Sequence, residues 1–274
     1  VMARVLQVVK DTGLTFMQHC QEPTLTRGSA MHAGSVSARL GLGGWPRVAE
    51  EVIIERDIRL NRAVGCRYHV QHISSGESVA IVRRARREGL TFITAEASPH
   101  HLTLTHEACD DYNTLAKVNP PVRERADVDA IIAGVADGTI TVLATDHAPH
   151  SADEKSLPFE DAPMGMVGLE TAWPLYHAAL VERGAISLKR LVALLTIEPA
   201  RLCGLDALGL GALREGGAAD CTLIDPALAW TCTEHELAGR SRNSPFLGRR
   251  LRGRAVLTLV GGTPRLQRLT PERG

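Results

Sequence analysis

The stretch Val142-Leu143-Ala144-Thr145-Asp146-His147-Ala148-Pro149-His150 decides how this chain is read. An apolar run suited to a buried strand stops abruptly in a carboxylate and two imidazoles. Apolar surroundings keep water out, so a carboxylate at the end of such a strand is costly unless it meets a cation or takes part in chemistry. A metal supplies that cation. Nitrogen and carboxylate donors without thiolate suit zinc in an open catalytic site, where bound water ionises near neutral pH and a nearby carboxylate can move its proton.

Working outward, two earlier β-rich runs also end in imidazole: Thr15-Phe16-Met17-Gln18-His19 and Tyr68-His69-Val70-Gln71-His72. Side chains alternate along a strand, so Tyr68, Val70 and His72 share one face and only one of His69 and His72 can point inward. Each histidine taken alone reads as an ordinary core or loop residue. Their recurrence at equivalent places points to a shared metal. Two loops read as substrate-handling segments, Lys117-Val118-Asn119-Pro120-Pro121-Val122-Arg123 and Ala162-Pro163-Met164-Gly165-Met166-Val167-Gly168. Asn119 offers a donor and an acceptor side by side, which can pair with a cyclic amide, and Gly165 lets backbone amides approach a ligand closely.

The three runs sit in a βα rhythm. Expected strands are Leu14 to Cys20, Arg67 to Ile73, Thr91 to Ala97 and Thr141 to Thr145; expected helices are Pro46 to Val64, Glu77 to Glu88, Asp127 to Ala136, Leu169 to Arg183 and Leu188 to Leu195. Parallel strands joined by crossover helices need this rhythm. Chemistry at the C-terminal ends of several different strands favours a (β/α)8 barrel over an open doubly wound sheet. Val1 to Val9 already reads as an amphipathic helix with no N-cap before it, so the chain is expected to start in mid-fold, giving an incomplete TIM-type α/β barrel over 1–208 with front strands missing. From 209 to 274 the texture changes to glycine-punctuated short strands, Cys221 to Ile224 and Ala255 to Val260, expected as a small β appendage.

Composition narrows the partners. Lysine plus arginine equals aspartate plus glutamate at 31 each over 274 residues, so no basic field invites nucleic acid and a small molecule is the default ligand. The arginine clusters at 83–87 and 249–254 lack interleaved aromatics and read as solvated faces. Six cysteines scattered without a CxxC pair read as reduced and cytoplasmic, and no run has the apolar length of a membrane span.

Taken together, His19-Cys20, His72-Ile73-Ser74, Ser98-Pro99-His100-His101-Leu102, Lys117 to Arg123, Ala144 to His150 and Ser241-Arg242-Asn243-Ser244-Pro245-Phe246 resemble the bacterial long-chain dihydroorotases of the amidohydrolase superfamily. The resemblance implies a barrel with two zinc ions. It implies that His19 and His72 ligate one ion, and that Asp146 ligates the other and shuttles the proton. Asn119, His150, Met164 and Gly165 would contact the ring of the substrate, His69 would be structural, and His100 and His101 would be packing residues. The implied reaction is reversible hydrolysis of dihydroorotate to N-carbamoyl-aspartate in pyrimidine biosynthesis. A first-strand His-x-His pair, an adjacent arginine and a metal-bridging carboxylate of that family have no counterpart in this sequence. The resemblance places them ahead of Val1 and implies the activity for the parent protein, with little for this exact chain. Gln21 stands where many relatives carry an acid and is given no role.

Other readings stay open. Dihydropyrimidinase and allantoinase share the barrel and the strand-end ligands, although Asn119 before the Pro-Pro pair favours dihydroorotate. A catalytically dead scaffold for aspartate transcarbamoylase would have lost its ligands, whereas His19, His72, Asp146 and His150 are all present. A homo-oligomer or a transcarbamoylase complex could coexist with activity. His32, His106, His177 and His235 are assigned no role.

Overall fold

The structure is a computed structural model that describes residues 1–268. Its nine strands are β1 Phe16–Gln18, β2 Met31–His32, β3 Gly44–Trp45, β4 Tyr68–Val70, β5 Ile93–Ala97, β6 Val142–Leu143, β7 Cys221–Thr231, β8 Arg250–Val260 and β9 Thr263–Gln267. Four of them form one parallel sheet in the order β1-β4-β5-β6. Phe16 stands opposite Tyr68, Tyr68 opposite Ile93, and Glu96 opposite Val142. The βα rhythm is therefore real, and it yields a staggered arc of parallel strands backed by helices.

Each strand of the arc is shorter than its sequence pattern. Leu14 to Cys20 contracts to Phe16–Gln18, Arg67 to Ile73 to Tyr68–Val70, and Thr141 to Thr145 to Val142–Leu143. Past the ends of β4 and β6, His72 and Asp146 take φ of 30° and 48°, a left-handed conformation that no extended ladder can hold. Beyond the last ladder bond, β5 and β6 are tied by Tyr176, whose hydroxyl lies 2.7 Å from Ala97 O and 2.6 Å from Ala144 O.

The helices follow from local chemistry. Val48–Val64 carries Glu50 and Glu51 in its first turn and stops at Gly65, whose φ of 72° suits a residue without a Cβ. Gly76–Arg87 opens with Glu77 and closes with Arg84, Arg86 and Arg87, matching the polarity of the helix dipole. Arg83 and Arg84 pair with Asp137 and Glu55, as expected of a solvated face. The expected helix Leu169 to Arg183 runs as α-helix only over Leu169–Tyr176 and widens to a π turn at His177–Val181; Pro174, which has no N–H to donate, lies inside it.

The main apolar core fills the space between the arc and its helices, with Leu6, Ile54, Tyr68, Val70, Ile73, Ile93, Ile140 and Leu180 among its members. A second cluster, around Met31, Val118, Val122, Met166 and Phe246, underlies the loops at the C-terminal ends of the strands. The region 21–45, for which the sequence pattern gave no expectation, contributes to this cluster through the short parallel pair β2–β3. Toward the C-terminus, β7, β8 and β9 form an antiparallel sheet. Among the described residues no helix is long and apolar enough to cross a membrane.

Candidate metal and substrate site

The ends of β1 and β4 bring two imidazoles together. His19 Nδ1 lies 3.0 Å from His72 Nε2, and the rings meet edge to face with centroids 4.7 Å apart. Burial and the neighbouring His72 ring hold His19 below the usual histidine range, so its lone pair is available near neutral pH. Two nitrogens of one tetrahedral zinc, each about 2.0–2.1 Å from the ion, sit a little over 3 Å apart, so the pair fits one ion.

Asp146 follows β6, beyond the strand's end at Leu143. Burial raises its carboxyl above the usual aspartate range, Glu96 pushes the same way, and the His72 and His19 rings partly offset them. The His100 ring lies near it, Nε2 at 3.6 Å, and among the described residues no arginine or lysine sits on it. A half-buried acid with no fixed cation is suited to binding a metal ion.

Strand alternation places His69 but not His72. His69 does lie in the ladder, fully buried, with Nδ1 2.8 Å from Thr94 Oγ1 and Nε2 3.0 Å from Glu96 Oε2. His72, however, follows the end of β4 in a left-handed turn, so strand alternation does not govern it. Both histidines meet Glu96, which also accepts the His72 backbone N–H at 3.4 Å. Glu96 was missed in the sequence, although a carboxylate inside the apolar run Ile93-Thr94-Ala95-Glu96-Ala97 was a signal of the same kind as Asp146. His100 is more than packing: its contact with Asp146 puts it at the site, where complete burial lowers its pKa to about 3 and keeps it neutral.

Asn119 reaches His19 through Gln21, while His150, Met164 and Gly165 form a second group. Asn119 Nδ2 donates to Gln21 Oε1 at 3.2 Å, and His19 Nε2 lies 3.1 Å from the same oxygen. His150 Nε2 lies 3.0 Å from Met164 O, and a Cβ built on Gly165 would stand 2.9 Å from that ring nitrogen, so only glycine, here at φ 138°, allows the approach. Asn243 clamps the group, accepting from His150 N and donating to Ala148 O and Gly165 O. Two buried ammonium groups fasten the loops below. Lys117 Nζ donates to the carbonyls of Phe159, Glu160 and Ala162, and Lys155 Nζ to those of Thr114, Lys117 and Pro163. Lys117 is thus a fastener and not a ligand contact, while burial and the nearby Lys117 charge bring Lys155 down to about 8.

Judged by proximity of donor atoms alone, a different group stands out. His32, His106 and Glu124 place ligand atoms within 4.8 Å of one another, and the donor types could hold a metal. Their neighbours oppose it. Arg123 Nη1 donates to His32 Nδ1 at 3.2 Å, which leaves the His32 proton on Nε2, the atom a metal would need. Arg47 already pairs with Glu124.

Residues 1–264 match the amidohydrolase family, and the chain belongs to that family. Among characterised relatives it is 45% identical to the dihydroorotase of Pelotomaculum thermopropionicum over 262 residues, and 47% identical to that of Bacillus caldolyticus over 263 residues. In each case the alignment covers 96% of this chain, but only 60% and 61% of the relative, so the chain spans about three-fifths of their length. Among solved structures, the L-hydantoinase (dihydropyrimidinase) of Arthrobacter aurescens superposes with a TM-score of 0.84 at 26% identity, over 98% of this chain and 60% of that one. The dihydropyrimidinase of Brevibacillus agri superposes at 0.85 over 97% of this chain and 60% of that one, and at 21% identity it speaks for the fold alone.

Proposed function

We propose that the whole protein is a zinc-dependent dihydroorotase of cytoplasmic pyrimidine biosynthesis, which interconverts dihydroorotate and N-carbamoyl-aspartate. The observation that carries the reading is the convergence of His19 Nδ1 and His72 Nε2 beside a half-buried Asp146 that no lysine or arginine pairs with, in a chain 41–47% identical to dihydroorotases. His19 and His72 would hold one zinc ion and Asp146 a second. Bound zinc supplies Lewis acidity for an amide carbonyl and a water molecule.

The protein's own residues do the rest. Asp146 accepts a proton and returns it to the departing ring nitrogen; burial makes its carboxylate a stronger base than an exposed aspartate. Asn119 orients the ring through its amide. His150 Nε2 donates to Met164 O, so only the doubly protonated ring offers a second N–H, at Nδ1, and an anionic group on the substrate would meet it there in place of Glu154, 3.9 Å away. The chemistry belongs to a barrel over 1–208, with 209–274 as the β appendage that supplies Asn243. A homo-oligomer or a complex with aspartate transcarbamoylase is compatible with this arrangement.

The hydantoinase superpositions favour one competing reading, a cyclic ureide hydrolase on the same centre. The deciding experiment measures dihydroorotate turnover by the full-length protein with zinc, beside Asp146→Asn, with dihydrouracil and allantoin as competing substrates. Dihydroorotate turnover that Asp146→Asn removes supports the proposal. Preference for dihydrouracil or allantoin transfers the mechanism to another substrate, and absence of both turnover and bound metal leaves a scaffold.

A further inference from the structure

Gln21 occupies a junction that its lack of charge conceals. The Thr26 hydroxyl lies 3.5 Å from both Glu22 O and Pro23 O, within the turn of its own short helix, so its proton is directed at those carbonyls. Its oxygen is therefore free to accept, and Gln21 Nε2 donates to it at 2.7 Å. That bond fixes which way the Gln21 amide faces. Oε1 then points at His19 Nε2, 3.1 Å away, and at Asn119 Nδ2, 3.2 Å away. A carbonyl oxygen only accepts, so neutral His19 carries its proton on Nε2. Its Nδ1 lone pair is left facing His72 Nε2 at 3.0 Å. The same oxygen takes the Asn119 amide nitrogen, which turns Asn119 Oδ1 the other way, where it is buried without a hydrogen-bond partner.

We propose that Gln21 is the positioning residue of this site: one carbonyl oxygen sets the His19 tautomer that leaves Nδ1 free for a metal ion, and fixes the Asn119 amide through its Nδ2. The inference deepens the function proposed above and rests on its reading of His19 and Asn119.

The tautomer can be read without metal or substrate, from two-bond nitrogen–proton NMR correlations of His19 in chelator-treated protein at a pH where the ring is neutral. Wild type is expected to show the Nε2–H form alone. Gln21→Glu keeps an acceptor toward His19 and should keep that form, while Gln21→Met removes the acceptor and should give a mixture. Cobalt(II) titration should follow the same order, with Gln21→Met weaker by about 10–100-fold and Gln21→Glu close to wild type. An Nδ1–H form in wild type, or an unchanged Nε2–H form in Gln21→Met, overturns the proposal. Failure of the protein to bind cobalt or turn over any ureide instead removes the function on which it rests, and the NMR result still decides what Gln21 does to His19.

Discussion

The group around His32, His106 and Glu124 and the group around His19, His72 and Asp146 differ in one respect that separates their chemistry. Around His32, His106 and Glu124 the cations are already built in: Arg47 pairs with Glu124 and Asp127, and Arg123, almost wholly buried, donates to His32, to Trp45 O and to Ser74 Oγ. Around His19, His72 and Asp146 no such cation is present among the described residues, and two ring nitrogens face one another across a short gap. The tighter cluster is thus the poorer metal site. Residue type and proximity nominate both groups; the position of the protons, set by what donates to each ring, separates them.

The contrast is broken most directly by activity. Asp146→Asn should lower turnover by about 10³-fold, within the range for losing a general acid–base group, while His32→Asn leaves turnover near wild type; a large loss in His32→Asn would move the chemistry to the other group. Stability should show the reverse order. Arg123→Met strips a buried cation from the Trp45 carbonyl and the His32 ring and should cost about 3–5 kcal/mol in urea unfolding, whereas His72→Ala in metal-free protein should cost far less. Zinc at about a hundred times its Kd should stabilise wild type and His32→Asn by about 2.7 kcal/mol and leave His19→Ala unchanged, as judged from calorimetric melting.

The smallest effect sharpens the comparison through pH. Burial, together with the Arg123 and Arg47 charges, lowers His32 from 6.5 to about 4, so the ring is neutral in the fold and gains a proton on unfolding below 6.5. Its stability contribution is complete above pH 6.5 and is lost as the pH falls toward 4, at up to about 1.4 kcal/mol per pH unit. His32→Asn should flatten the dependence of the urea midpoint between pH 6.5 and 4; an unchanged slope would mean that His32 is not the group concerned.

What the sequence made legible was the set of abrupt endings. An apolar strand that stops in Asp146 and a β-rich run that stops in His19 are local signals, and the βα rhythm is a sum of local signals, so both survive into the fold. The turn at His72 was not legible, because strand periodicity gives no notice of the residue at which the chain leaves the ladder. Glu96 and His100 were obscured for another reason: their role depends on what β4 and β6 bring opposite them, which is a matter of register. Gln21 is the extreme case, since its importance lies wholly in the direction of one amide.

The paired lysines beneath the substrate loops have a kinetic consequence. Lys117 and Lys155 do with ammonium groups what a strand ladder would otherwise do, gathering loop carbonyls around a point charge. A bond of that kind is released only when the loop opens, and Lys155, at about 8, has its free-base form well populated in mildly alkaline solution. Acylation of Lys155 is then limited by exposure and not by proton loss. The rate at which an amine-reactive reagent labels it becomes a clock for loop opening above the candidate active centre.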